Sequence, residues 1–116
     1  MLKRLLLSIT LWWSRIRGAP VRRYRLSYVD GDELPAVLPE MTLVVAREGD
    51  VHWTSGMVCP CGCGRRLEMM LLQEVTPRWR LRVDDQGPSL TPSVWVVDGC
   101  RSHFWLRNGL VRWCDN

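Results

Sequence analysis

The segment Cys59-Pro60-Cys61-Gly62-Cys63-Gly64 decides how this chain folds, because it concentrates three of the five cysteines in five consecutive positions. Cysteines separated by one residue rarely bridge each other, since the geometry that a disulfide requires is not met. In an extended backbone the three side chains share one face, and the glycines allow the chain to curl so that the sulfur atoms converge. The pattern is typical of a metal site and implies a reducing, cytoplasmic location.

A second pair of candidate ligands, Cys100 and His103, follows 37 residues after Cys63, with two residues between its members. That spacing is common in zinc sites, and a structural zinc ion takes four ligands in a tetrahedron. The sequence therefore predicts bound Zn²⁺ held by four of five residues, Cys59, Cys61, Cys63, Cys100 and His103. One arrangement includes His103, and the other uses only cysteines and leaves His103 free. Cys114 is expected to be a small buried residue at the end of the last strand.

The charge is unevenly distributed along the chain. Of the 16 basic groups, seven lie in residues 1–25, which contain no acid, so that nine remain against 12 acidic groups in the rest. The sequence pI near 9.1 therefore describes the N-terminal segment rather than the domain that follows. This distribution weakens the case for a basic nucleic-acid-binding fold.

The N-terminal segment has the spacing of an amphipathic helix. Apolar residues recur at three- and four-residue steps between Leu2 and Arg17, and Gly18 and Pro20 end the pattern. We therefore divide the chain into a basic amphipathic helix, residues 1–20, and a zinc-binding β domain, residues 21–116. The helix is expected to pack on the domain or a partner, or to contact an anionic membrane surface. Its apolar run is too short to span a bilayer.

After Pro20 the pattern changes to short apolar segments separated by turn residues, which predicts a mainly β, small antiparallel sheet domain stapled by zinc. The Asn108-Gly109 pair is a strong hairpin signal, and one helical turn is expected within Leu34–Pro39. The predicted strands are Tyr24–Val29, Met41–Ala46, Val51–Cys59, Leu67–Leu72, Trp79–Val83, Ser93–Val97, Ser102–Leu106 and Leu110–Cys114.

The order of motifs resembles an uncharacterised bacterial family of domains of unknown function. The resemblance covers residues 24–114 and rests on Cys-Pro-Cys-Gly-Cys-Gly, a Pro-Ser pair at Pro92-Ser93, and Cys-x-Ser-His-Phe-Trp at residues 100–105. Members of that family are often encoded beside ubiquitin-like modifiers and their activating and conjugating enzymes. The resemblance therefore implies a partner that is such a modifier or one of its conjugation enzymes, and a role in processing, removing or recognising the modifier tail.

Cleavage of a peptide or isopeptide bond needs a nucleophile and a base. The local candidates are Ser93 and Ser102 as nucleophile, with Ser89 and Thr91 as further options, and His103 as base. This hypothesis requires that zinc use four cysteines and leave His103 available. An imidazole-orienting acid would come from Asp84, Asp85 or Asp98. The serines also have structural interpretations, as turn residues beside Pro92 or as a hydrogen-bond donor to the zinc loop, so a recognition module without catalysis stays open.

A zinc-ribbon-like module that binds nucleic acid is the alternative function. Arg78, Arg80 and Arg82 would share one strand face, with Trp79 and Leu81 opposite. Such a face suits either solvent or phosphate groups. The net negative charge of residues 26–116 makes this alternative the weaker one.

Overall fold

The computed structural model describes residues 22–115. The helix predicted for residues 1–20 lies outside them. Within the described residues there is no helix long and apolar enough to cross a membrane.

Eight strands form two four-stranded sheets, so the mainly β prediction is confirmed. The strand order is β1-β2-β3-β4 in the first sheet and β5-β6-β7-β8 in the second. The antiparallel prediction holds for every pair except β1 and β2, which run parallel to each other. The strands are β1 Arg25–Asp30, β2 Thr42–Glu48, β3 Val51–Val58, β4 Arg66–Met70, β5 Arg80–Asp84, β6 Gly87–Trp95, β7 His103–Arg107 and β8 Leu110–Trp113.

The parallel pairing of β1 with β2 explains the loop between them. Parallel neighbours need a crossover, and residues 31–41 supply it as irregular chain, without the predicted helical turn. Leu34 and Leu38 of this loop pack over Gly56 of β3, where an added Cβ would lie 2.6 and 3.2 Å from their Cδ1 atoms. The loop thus covers the second face of the sheet, which is why Leu43–Ala46 reads as an unbroken apolar run and is buried throughout.

The other face of this sheet packs in one hydrophobic core with the second sheet. Leu43 and Val45 of β2 share the core with Phe104 and Leu106 of β7, and all four are fully buried. Tyr24, just before β1, reaches the second sheet through its backbone N–H, which donates to the carbonyl of Gly109 at 2.7 Å. The two sheets are therefore one folding unit.

Strand β6 is longer than predicted and carries an irregularity. It begins at Gly87 rather than Ser93, because only Asp85 and Gln86 separate it from β5. Leu90 pairs with Leu106 and Val94 with Phe104, so residues 91–93 of β6 face the single residue Trp105 of β7. Pro92, which has no N–H to donate to the ladder, lies in this bulge. A bulge changes the direction in which nearby side chains point, and Ser93 is one of the residues affected.

Candidate active site and metal centre

Four thiols converge between the two sheets at one end of the domain. Cys59, Cys61 and Cys63 lie in the hairpin loop after β3, which the Cys59 N–H closes by donating to the Arg65 carbonyl at 2.8 Å. Cys100 comes from the loop between β6 and β7. The four Sγ atoms all lie within 4.8 Å of one another, close enough to hold one metal ion.

The spacing of these sulfur atoms fits a tetrahedral ion. Zn–S bonds of about 2.3 Å in a tetrahedron place sulfur atoms about 3.8 Å apart. The Cys59 Sγ lies 3.4 Å from that of Cys61 and 3.8 Å from that of Cys100. Such a thiol-only set is typical of closed structural sites. Cys114, which is half-buried after β8, lies outside the group.

The thiols differ in their ionisation. Burial raises the pKa of Cys59 to about 12. The Ser102 hydroxyl lowers the pKa of Cys61 to about 6 and also lowers the pKa of Cys100, because a hydrogen bond to a thiolate stabilises its charge. Four clustered thiols of such unequal acidity need a cation before all can be ionised together.

The Ser102 side chain contacts the thiol cluster. Its side chain is buried, and its Oγ lies 3.2 Å from the Cys100 Sγ and 3.5 Å from that of Cys59. Of the two interpretations left open by the sequence, the geometry supports the hydrogen-bond donor to the metal loop.

His103 lies outside the thiol group and faces Ser93 instead. Its Nε2 is 2.9 Å from the Ser93 Oγ, a hydrogen-bond distance between a candidate base and a candidate nucleophile. Ser93 belongs to the β6 bulge and His103 is the first residue of β7, so two adjacent strands present the pair on the face of the second sheet opposite the core. The geometry therefore supports the four-cysteine arrangement that leaves His103 available.

Two tryptophans that were not predicted as site residues flank this pair. The Trp95 ring stacks on His103 with centroids 4.9 Å apart and an interplanar angle of 12°. The Trp79 indole N–H donates to the Ser93 carbonyl at 3.3 Å. The first contact restricts the orientation of the imidazole and the second fixes the backbone that carries the hydroxyl. Trp95 is 59% exposed, although a large aromatic residue is normally well buried.

The remaining sequence candidates lie elsewhere. The Ser89 Oγ accepts the Asn108 N–H at 2.8 Å, and Thr91 is exposed. Asp98 pairs with Arg65 at 2.8 Å. Asp84 accepts the N–H of Gln86 at 2.9 Å in the β5–β6 turn, of which Asp85 is also part. These contacts do not involve His103.

The predicted alternation along β5 is present, since Arg80 and Arg82 are exposed and Trp79 and Leu81 pack against the core. Two other basic residues, Arg65 and Arg66, form ion pairs with Asp98 and Glu68. A different set of arginines meets in a cleft of about 550 Å³. It is lined by Arg23, Arg82, Gln86, Arg107, Asn108, Leu110 and Arg112, and no acidic residue contributes to it.

A larger cleft, about 610 Å³, lies between the β3 and β5 ends of the domain. It contains His52, but no serine, threonine or cysteine lines it. Size alone therefore does not identify the reactive site, and the chemistry points to the smaller surface around Ser93.

An all-β domain with four thiols close enough to hold a metal ion and a serine–histidine pair on one sheet has the side chains that a serine hydrolase requires. Residues 30–114 match the family model described as "Bacterial ubiquitination-like system serine protease (BubE)". The chain belongs to this family and is thus a component of a bacterial ubiquitination-like system. Comparison with curated proteins and with solved structures gave no match.

Proposed function

We propose that the protein is a serine peptidase that cleaves at the C-terminal tail of a ubiquitin-like modifier, with Ser93 as nucleophile and His103 as general base. The observation that carries this proposal is the 2.9 Å contact between Ser93 Oγ and His103 Nε2. It is supported by the grouping of the four cysteines without His103. The description of the family as serine proteases agrees with it.

The reaction follows from the positions of the two side chains. His103 Nε2 accepts the Ser93 hydroxyl proton as Oγ attacks the carbonyl carbon at the end of the modifier. The protonated imidazole then gives that proton to the departing amine, and the modifier is left as an ester on Ser93. Water, deprotonated by the same imidazole, hydrolyses the ester and regenerates the hydroxyl. The Nε2 atom must be unprotonated at the start, so the ring proton resides on Nδ1.

Zinc is the ion that the four thiolates suit best, and its role is structural. Cys59, Cys61, Cys63 and Cys100 would hold it, cross-linking the β3–β4 loop to the β6–β7 loop. The Arg65–Asp98 ion pair links the same two loops. Because His103 begins β7 three residues after Cys100, this cross-link fixes the approach of the imidazole to Ser93. All four thiols belong to the protein, so no ligand position is left for a substrate or water.

The decisive experiment incubates the protein with the precursor, or a conjugate, of a ubiquitin-like modifier from a bacterial ubiquitination-like system and follows intact mass. We expect loss of a defined C-terminal fragment by the wild type and none by Ser93→Ala or His103→Ala, with zinc content unchanged in both variants. A fluorophosphonate probe should label Ser93 in the wild type and not in His103→Ala. Loss of zinc on replacing His103 would contradict the proposal, as would cleavage that survives Ser93→Ala.

The arginine-lined cleft favours a second candidate function, the binding of a polyanion such as nucleic acid. Four guanidinium groups share this cleft, and the two ion pairs among residues 22–115 involve none of them. Such binding would weaken steeply with salt, because each phosphate contact releases a counterion. Titration of a fluorescent oligonucleotide at two salt concentrations tests it, with Arg82→Ala expected to lower affinity and Arg78→Ala, outside the cleft, expected to leave it unchanged.

A further inference from the structure

A cleft of about 260 Å³ separates strand β4 from the C-terminal half of β6, next to Ser93. It is lined by residues 65–69 and 94–98 and by Trp79. β5 pairs with β6 only from Gly87 to Thr91. Among the described strands none pairs with β6 on this side beyond Thr91, and β4 is the edge strand of its sheet. Two strand edges therefore face each other across the cleft.

The hydrogen-bonding groups of β6 at this edge point into the cleft. The Val96 N–H donates to the Ser102 carbonyl at 2.7 Å, so the backbone groups of residues 94 and 96 are directed toward β7. Successive residues of a strand direct these groups to opposite sides, which turns those of Trp95 and Val97 toward the cleft. The Ser93 carbonyl, at the same edge, accepts the Trp79 indole N–H, as this alternation requires.

The groups of β4 face the cleft from the other side. The Leu71 N–H donates to the Trp53 carbonyl at 3.0 Å, so residues 67, 69 and 71 are bonded toward β3. The backbone groups of Arg66 and Glu68 then point outward. The Met70 carbonyl, in the same alternation, accepts the Trp79 N–H at 2.8 Å.

Trp79 occupies one end of the space between the two edges, where its backbone N–H bonds β4 and its indole N–H bonds β6. The other end is spanned by the Arg65–Asp98 ion pair. Between these ends the cleft has the form of an unfilled strand position. Its walls include the apolar side chains of Leu67, Met69, Val94 and Val96, and its volume is below the roughly 300–1,000 Å³ of ordinary small-molecule pockets.

We infer that this cleft is the binding slot for the extended tail of the modifier, which adds as a strand and pairs its backbone with Trp95 and Val97 and with Glu68. Strand addition of this kind takes its affinity from main-chain hydrogen bonds. The narrow cleft selects a tail of small side chains. The inference rests on the proposed function, because Ser93 at the Trp79 end is the group to which the slot delivers the tail.

A backbone N-methylation series tests the slot. Each peptide copies the last ten residues of a ubiquitin-like modifier from a bacterial ubiquitination-like system and carries one N-methyl group, and its Kd is measured with the zinc-loaded Ser93→Ala protein. Successive residues of a strand point their N–H groups to opposite sides, and in the slot one side faces β6 and the other faces β4. Methylation at each position inside the slot should therefore weaken binding at least tenfold, with little effect at positions of the peptide outside it. Equal effects along the whole peptide, or none, would overturn the slot.

On the protein side, Val97→Pro removes one outward N–H, and Val97→Ala keeps it while shortening an exposed side chain. Tail affinity should fall in the first variant and not in the second, with zinc content and Tm showing that both are folded. Equal affinity in the two variants would contradict the pairing. The block of sensitive positions appears in binding whether or not the wild type cleaves. Such a block without cleavage would therefore refute the peptidase and keep the slot, whereas cleavage without such a block would refute the slot and keep the peptidase.

Discussion

The Ser93 hydroxyl and the His103 Nε2 are 2.9 Å apart. His103 pairs with Trp95, so Ser93, two residues earlier in β6, is its diagonal neighbour on the same face of the sheet. Ser102, the immediate neighbour of His103, has its hydroxyl on the thiols instead. One short segment therefore serves two sites, with alternate side chains of residues 102 and 103 directed to the metal cluster and to the nucleophile.

Replacing each serine separates these two roles. Ser93→Ala should lower kcat/KM for tail cleavage by a factor on the order of 10⁴–10⁶, the effect of removing one member of a nucleophile–base unit, and should leave zinc content unchanged. Ser102→Ala should weaken zinc retention against a chelator, because the thiolates of Cys61 and Cys100 lose a hydrogen bond. Steady-state kinetics and metal analysis distinguish the two variants. If Ser102→Ala abolished cleavage and Ser93→Ala weakened zinc retention, the roles assigned to the two serines would have to be exchanged.

Removal of the metal should unfold the end of the domain that carries the site. Cys100→Ser is expected to reduce zinc below one ion per chain and to lower Tm, with each kcal/mol lost shifting Tm by about 4–8 °C in a domain of this size. Cys114→Ser is the matched control, since that thiol lies outside the group. Inductively coupled plasma mass spectrometry and a thermal melt measure both effects. A full zinc complement in Cys100→Ser would contradict the four-cysteine site.

Trp95 is predicted to be a positioning residue. An aromatic stack contributes about 0.5–1.5 kcal/mol, so Trp95→Ala should lower kcat roughly 2- to 12-fold. Trp95→Phe should restore most of the loss, because a ring still covers the imidazole. A purely structural effect would lower Tm and zinc content in step with kcat, whereas positioning lowers kcat at unchanged Tm. Kinetics on Trp95→Ala, Trp95→Phe and wild type, each with its melting curve, separate these outcomes.

The metal cluster could be predicted from the sequence because its information is local. Three of its thiols lie within five residues, and φ angles of 92° and 81° at Gly62 and Gly64 provide the curl that their glycines suggested. Predicting Cys100 as a ligand required only the assumption that the segment containing Cys100 and His103 lies next to the cysteines of residues 59–63. The choice between an all-cysteine site and one that includes His103 depends on three-dimensional distance and could not be made from spacing.

The pairing of strands carries information that the sequence holds only indirectly. Regular alternation does not reveal that residues 91–93 face one residue of β7, although Pro92 within an apolar segment is a signal of a bulge or an edge. The parallel β1–β2 pair was hidden because an 11-residue loop fits an antiparallel connection as well as a crossover. The unbroken apolar run Leu43–Ala46 was the available sign that both faces of β2 are covered.

Net charge was a poor guide for a related reason. Residues 26–116 are acidic overall, yet three of their arginines, Arg82, Arg107 and Arg112, meet Arg23 in one cleft. The net charge of the chain does not reveal a local cluster of positive charge. The arginines of this cluster are separated by up to 89 residues in the sequence. Of the predicted set Arg78, Arg80 and Arg82, only Arg82 lines this cleft.

Gly87 should be the glycine least tolerant of substitution. It has φ of +132°, and an added Cβ would lie 2.8 Å from the Gly109 Cα and 3.0 Å from the Tyr24 carbonyl oxygen, so backbone atoms of two other segments would have to move. Gly31, with φ of +111° and nothing within 4 Å of its Cβ position, is the matched control. Gly31→Ala should cost about 1–3 kcal/mol for its backbone conformation. Gly87→Ala should cost clearly more, because its clash adds to that conformational cost. Urea denaturation followed by tryptophan fluorescence gives both free energies of unfolding, and equal losses would show that the junction of Tyr24, Gly87 and Gly109 is not tightly packed.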